Sequence, residues 1–344
     1  MKDISKKGIL LMNLGSPDSP SVKDVKVYLN EFLMDEKVID IPYLVRLLLV
    51  KGIIVPFRSP KSAHAYQSIW RKEGSPLILN TIDLQNALAK IVEEPIEICM
   101  RYGNPTPLVA FQNFKVNYPE VEEVFLFPLY PHYAMSSYET AVEYAIKIHE
   151  ENNFPFKLSV IPPYYRDENY IKALAGSIQD YLLNPFDKIL FSYHGVPERH
   201  IRKGDITGKH CLKCNNCCEV NSAAHTQCYR HQTFVTTNLV AKQLGLQENQ
   251  FEQTFQSRLG QDKWLRPYTA NRLKELPSEG VKNLLVACPA FVSDCLETLE
   301  EIAEEGKEIF LKAGGENFTM IPCLNSNDAW VQAISDLIQP YRLK

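Results

Sequence analysis

Short apolar runs without alternation, separated by stretches of helical spacing, recur along almost the whole chain. Six of these runs read as strands: Gly8–Leu14, Ile96–Arg101, Glu123–Tyr130, Leu158–Pro162, Lys188–Tyr193 and Asn283–Cys288. Segments such as ILLMNL, VFLFPLY and NLLVAC lack the every-second-residue polarity of a half-exposed strand, so both faces are expected to be covered. Between the runs, Val22–Leu33, Thr81–Val92, Thr140–Glu151, Asn169–Leu183 and Thr233–Leu244 space their apolar residues as helices do. Strand–helix alternation predicts an α/β fold of parallel βαβ units. A boundary near Asn152–Pro163 divides the chain into domains 1–155 and 156–325. The last helical pattern, Asp328–Leu337 within 326–344, is expected to return to the first domain. Ile41–Phe57 (IPYLVRLLLVKGIIVPF) is the most apolar stretch, interrupted by Arg46, Lys51 and Pro56. It reads either as a core helix or as an apolar lip that meets a flat substrate or a membrane surface.

Composition narrows the classes. The 344 residues are 45% hydrophobic and 23% charged, enough for roughly two domains with sizeable cores. A net charge of −4 provides no positive field for nucleic acid. No stretch approaches the ~20 apolar residues of a membrane span. The expected setting is cytoplasmic, with contact at the periphery of the inner membrane as a further option.

Cysteine placement is the unusual feature. Of nine cysteines, Cys211, Cys214, Cys217, Cys218 and Cys228 crowd into residues 211–228, while Cys99, Cys288, Cys295 and Cys323 are scattered. An odd total in a chain of this kind argues for metal chemistry rather than a disulfide framework.

Ligands of open parallel sheets bind beyond the carboxyl ends of the strands. Those ends read NLGSP from Asn13, RYGNP from Arg101, Tyr130-Pro131-His132-Tyr133, His194-Gly195-Val196-Pro197 and PAFVSD from Pro289. No GxGxxG or P-loop follows any of them, which removes the usual dinucleotide and phosphate readings. His194 leaves an apolar strand on a Gly-x-Pro turn. Downstream, Glu297, Glu301 and Glu305 recur every four residues on nearly one helix face, more nearly so if the turn widens to a π-bulge. Ser293 or Asp294 can cap this helix, and Asp294 and Glu297 have the spacing of a capping box, so Glu297 reads either as a cap or as a ligand. A histidine with open-sided carboxylates suits a divalent transition metal that is held weakly and passed on.

These parts occur within longer blocks: LMNLGSPD at 11–18, YLNEFL at 28–33, MRYGNP at 100–105, PLYP at 128–131, FSYHGVPER at 191–199, FQSRLG at 255–260 and FVSDCLETL at 291–299. In these blocks and their order the sequence resembles the ferrochelatases, which insert ferrous iron into a porphyrin to make haem. The resemblance implies two Rossmann-like domains with parallel sheets flanked by helices and the porphyrin in a cleft between them. It implies that His194 binds the metal or abstracts pyrrole protons, with Glu297 as its acidic partner and Glu301 and Glu305 as an acidic ladder. Met12, Arg101, Tyr102, Tyr130 and Phe291 would contact the porphyrin. Protoporphyrin IX is the expected substrate, with coproporphyrin as the alternative. The rival readings are a chelatase for another metal and tetrapyrrole, and a non-catalytic iron–sulfur sensor on the same scaffold.

Two departures stand out. Cys295 occupies a position where many members carry a second histidine. The cysteine-rich insertion at 210–231 replaces the cluster arrangement of animal ferrochelatases, and Met135 stands at their internal cysteine position. Four thiolates from Cys211, Cys214, Cys217 or Cys218, and Cys228 suit a [2Fe–2S] cluster, with tetrahedral zinc as the alternative. His210, His225 and His231 could each replace one thiolate.

Overall fold

The computed structural model describes residues 6–258, 260 and 262–342. It contains eight strands: β1 (Lys7–Ser16), β2 (Ile96–Gly103), β3 (Glu123–Pro128), β4 (Lys157–Val160), β5 (Lys188–His194), β6 (Phe251–Gln256), β7 (Asn283–Ala287) and β8 (Asn317–Met320). They form two four-stranded parallel sheets, in the orders β2-β1-β3-β4 and β6-β5-β7-β8. The same strand order thus appears twice, although no internal repeat is visible in the sequence. Helices connect the strands, as parallel pairing requires.

Centre and edge differ in the way the sequence suggests. Ile9–Met12 of β1 and Ile189–Phe191 of β5 are fully buried. The two strands that the apolar pattern misses, β6 (FEQTFQ) and β8 (NFTM), are the edges of the second sheet. In β6 the buried polar side chains, Thr254 and Gln256, are paired. Thr269 donates to Thr254, and Ser192 donates to Gln256 at 2.7 Å.

The described residues fall into two compact units. The first comprises the chain up to Leu129, Met135–Pro162 and the chain from Ile334 onward; the second comprises Tyr130–Ala134 and Pro163–Ala333. Within the first unit, the end of the last helix (Asp328–Arg342) is pinned to the sheet. Lys7 donates to the carbonyls of Tyr341 and Arg342, and Arg342 pairs with Glu94 at 2.6 Å.

Helix starts follow their caps. Val22–Leu33 begins behind Ser21, whose side chain accepts from the Asp24 N–H. The helix expected at Thr81–Val92 instead runs Pro76–Leu88, because Pro76 sets its first turn.

The apolar stretch after Ile41 is not a core helix. Helix Tyr43–Leu49, a π-turn at Val50–Ile54 and helix Val55–Ile69 expose Leu44, Val45, Leu48 (73%), Ile53 and Phe57 (80%). Arg46 is the buried residue of the first of these helices at 6% exposure, where it donates to the carbonyls of Ile39 and Ile41. Of the two sequence readings, the exposed one describes this surface. No helix among the described residues is long and apolar enough to cross a membrane.

Candidate active site

His194 is the last residue of β5, in register with Gln256 at the end of β6. Its Nδ1 lies 2.7 Å from the carbonyl oxygen of Gly195. A carbonyl only accepts, so Nδ1 is the donor here, and Nε2 is the ring nitrogen left to act as a base in the neutral tautomer. The Tyr229 hydroxyl donates to the His194 carbonyl at 2.9 Å, and the Gly195 N–H donates to the Gln256 carbonyl at 2.8 Å. A Cβ on Gly195 would sit 2.7 Å from that Gln256 oxygen, so only glycine lets the two strand ends approach this closely. The Phe291 ring stands edge-on to the imidazole at 6.3 Å.

Glu297 enters from the next strand end. The helix expected to be capped by Ser293 or Asp294 begins instead behind Cys295, where the Cys295 N–H donates to the Thr298 hydroxyl. Asp294 is unavailable as the cap because its carboxylate holds Asn325, Thr298 and the Cys323 N–H. Thr298 therefore takes the capping position and Glu297 does not, which corrects the capping-box reading. The buried Cys295 thiol is pushed well up by burial, and then by the Glu297 carboxylate to which it donates. Both effects favour the protonated thiol.

Glu301 opens a π-helix, Glu301–Gly306. Its carboxylate accepts from the Ser257 N–H at 2.8 Å and from the Ser257 hydroxyl at 2.5 Å. Ser257 reaches both oxygens from a left-handed backbone, φ +65°, a conformation that an L-residue adopts only when its surroundings hold it there. Burial raises the Glu301 pKa and the Glu297 charge adds to this, while Ser257 and His194 pull it down. Three of the expected residues, His194, Glu297 and Glu301, thus share one electrostatic site. Glu305 lies one turn on, exposed.

Other expected residues are placed differently. Tyr102 has no exposed surface, and its hydroxyl donates to Asp35 at 2.7 Å. Arg101 pairs with the same Asp35 oxygen at 2.6 Å, donates to Thr140, and lies 4.4 Å from the ring centres of both Tyr102 and Tyr144. Met12 is fully buried in β1, and Tyr130 is buried in the second unit. His132 is also interior: burial pushes its imidazole down to about 3, so it stays neutral, bonded to Thr236.

Sequence reasoning passed over Asp35, Gln256, Ser257 and Tyr229. Gln256 and Ser257 stood inside the quoted FQSRLG block without a role. Asp35 and Tyr229 carried no local signal at all.

In the insertion, Cys211, Cys217, Cys218 and Cys228 are buried and Cys214 is exposed. The Cys228 thiol is pulled down to about 6, first by a hydrogen bond from the Cys218 thiol and further by the His231 N–H, Cys211 and Arg230. Arg230 Nη1 lies 3.3 Å from the Cys217 sulfur and 3.4 Å from that of Cys218. The three histidines face backbone carbonyls. His210 and His225 approach the Cys217 carbonyl at 2.6 and 2.9 Å, and His231 approaches that of Cys218 at 2.7 Å. No set of three or more His, Cys, Asp or Glu side chains among the described residues has the arrangement of a formed metal site.

Comparison with known proteins places this geometry. The sirohydrochlorin chelatase SirB of Bacillus subtilis, solved with Fe³⁺, superposes with a TM-score of 0.54 at 14% identity over 97% of this chain and 95% of its own. SirB of Bacillus subtilis subspecies spizizenii, solved with cobalt, gives 0.51 at 12% identity over 98% and 96%. At these identities the likeness is one of fold. Relatives named ferrochelatase are far nearer in sequence: that of Opitutus terrae is 47% identical over 97% of both chains. That of Stutzerimonas stutzeri is 45% identical over 97% of this chain and 98% of its own. The Porphyromonas gingivalis protein is 45% identical over 96% and 95%. A family model described as Ferrochelatase matches residues 6–341, a span that holds both sheets, the His194 strand end and the π-helix, and the chain belongs to that family.

Proposed function

We infer that this chain inserts ferrous iron into a porphyrin to form haem, with His194, Glu297 and Glu301 as its working groups. The observation that carries this reading is the imidazole fixed through Nδ1 beside a half-buried carboxyl with a raised pKa. Insertion replaces two pyrrole N–H protons by Fe²⁺, so the site must accept two protons while keeping the metal in reach. His194 Nε2 is an available base and Glu297 a carboxylate held by the Cys295 thiol; both can meet a divalent ion or a pyrrole proton. Glu301, whose raised pKa favours proton uptake, relays protons toward the exposed Glu305. Phe291 offers the macrocycle an apolar contact beside the imidazole. Arg101 and Tyr102, tied to Asp35, act as positioning residues. The exposed Leu44–Phe57 surface is assigned to peripheral contact with a membrane.

The test is anaerobic incubation with Fe²⁺ or Zn²⁺ and either protoporphyrin IX, our expected substrate, or coproporphyrin. A shifted Soret band supports the reading and identifies the porphyrin. Absence of metalloporphyrin with both macrocycles, where a control chelatase works, overturns it.

Ser257→Ala tests Glu301 separately. It removes one donor that lowers the Glu301 pKa, so the carboxyl should bind its proton still more tightly. A base works only when deprotonated, so the acid limb of kcat/KM against pH should move to higher pH. A limb that stays in place, or moves to lower pH, counts against the relay.

For the insertion we propose Cys211, Cys217, Cys218 and Cys228 as the residues that would hold a [2Fe–2S] cluster, with the exposed Cys214 outside the set. Four buried sulfurs, with Cys211 and Cys218 hydrogen-bonded to Cys228 and the Arg230 guanidinium against Cys217 and Cys218, suit an anionic cluster. Such a cluster would cross-link the segment, since metal insertion moves no electrons. Red-brown protein with matching iron and acid-labile sulfide supports this; colourless protein with stoichiometric zinc replaces the cluster by zinc.

A further inference from the structure

We propose that Tyr229 is a positioning residue that couples the cysteine nest to the imidazole of His194. The inference rests on the reading of His194 as the working imidazole, and is independent of what the thiols hold.

Cys228 is the N-cap of the helix Tyr229–Gln243, so a nest cysteine is the chain neighbour of the buried Tyr229. That phenol donates to the His194 carbonyl at 2.9 Å. The other side of the same peptide unit, the Gly195 N–H, donates to the Gln256 carbonyl at 2.8 Å. A peptide is planar, so these two bonds together set the tilt of the 194–195 unit. The imidazole is aimed by the next group along, since its Nδ1 lies 2.7 Å from the Gly195 carbonyl. Tilting the plane therefore turns the ring and moves Nε2.

The rest of the helix does not give. Thr237 bonds the Tyr193 hydroxyl at 2.9 Å, Thr236 bonds His132 at 2.9 Å and donates to the Tyr165 carbonyl at 2.6 Å, and Gln232 accepts from the Tyr133 N–H at 2.7 Å. The His132 ring stands edge-on to both Tyr229 and Tyr193. A change in the nest consequently has its mechanical outlet at the first helical residue. The nest presses on this point from several sides: Cys218, Cys211 and the His231 N–H all contact the Cys228 sulfur, and Arg230 contacts Cys217 and Cys218.

The experiment is a double-mutant cycle read on the His194 ring by imidazole ¹H–¹⁵N spectra, alongside steady-state kinetics. Tyr229→Phe keeps the ring and loses only the hydroxyl. It should shift the His194 resonances and lower kcat on the order of tenfold, the scale of a small misplacement of a reacting group, with the porphyrin KM unchanged. Cys218→Ser should shift the same resonances in the wild-type background and add nothing in Tyr229→Phe. Arg230→Gln, which keeps every thiol, supplies the second perturbation if Cys218→Ser does not fold. Thr237→Val loosens the same helix elsewhere and should leave the His194 resonances in place. The proposal is overturned if Tyr229→Phe leaves the resonances and kcat as in wild type. It is equally overturned if nest substitutions act additively with Tyr229→Phe, or if Thr237→Val reproduces the shift. Should the wild-type protein form no metalloporphyrin, the functional reading fails while the resonance cycle still decides the coupling.

Discussion

His194→Ala should lower metalloporphyrin formation by about 10²–10⁴-fold, the range of a lost acid–base group, while leaving the protein folded. The fold should survive because the imidazole contributes little to packing. It is half-buried at the end of β5, and its one ring hydrogen bond among the described residues is local, to Gly195. The interactions that hold the strand end are backbone: the Tyr229 bond to the His194 carbonyl and the Gly195 bond to Gln256 persist in the variant. The expected result is an unchanged denaturation midpoint with the rate nearly gone, and with porphyrin still bound as judged by quenching of its fluorescence. A variant that keeps more than a tenth of the wild-type kcat would remove His194 from the chemistry. Glu297 and Glu301 would then be left as the bases.

Asp35→Ala should have the largest effect on stability, about 3–5 kcal/mol, as when one member of a buried ion pair is removed. The Asp35 side chain is 5% exposed and Arg101 14%, so solvent cannot replace the lost partner. Three donors, from Arg101, Tyr102 and Thr140, converge on one Asp35 oxygen, and the Lys37 N–H takes the other. Removing the carboxylate strands a guanidinium between two tyrosine rings and leaves the buried phenol without its acceptor. Asp35→Asn retains the shape and should cost less. Chemical denaturation would measure both, and a loss under 1 kcal/mol for the alanine variant would show that the network is not a structural keystone.

The same residue predicts a pH dependence. Burial alone would raise the Asp35 pKa, but Thr140, the Lys37 N–H, Tyr102 and Arg101 outweigh it and hold the pKa below the usual value. A depressed folded-state pKa stabilises the fold fully above the unfolded value of about 3.9. The contribution is lost as pH falls through the lower folded-state pKa, and Asp35→Asn should remove that part of the acid dependence.

The contrast between centre and edge explains what could be read in advance. β1, β3, β5 and β7 are apolar because helices cover both faces, and uninterrupted runs such as ILLMNL are visible without any structure. β6 hides because its polar residues are buried in pairs, and a sequence does not say that Thr254 will meet Thr269. The Arg46 helix hides for the opposite reason. Its Leu44 and Leu48 face solvent and its arginine faces in, where backbone carbonyls accept from it, so a hydrophobicity pattern assigns the wrong side to the core.

By itself the sequence determined the α/β class, the strand ends that hold the candidate site residues, His194 and the Glu297–Glu301–Glu305 spacing, because each depends on local periodicity or on blocks of adjacent residues. Only the tertiary structure decided that Glu297 is free of the cap, that Ser257 holds Glu301, that Asp35 claims Arg101 and Tyr102, and that four of the five clustered cysteines turn inward. The first three depend on partners distant along the chain, which the fold brings together, as parallel strands with long crossovers do; the cysteines turn inward on partners within residues 205–231.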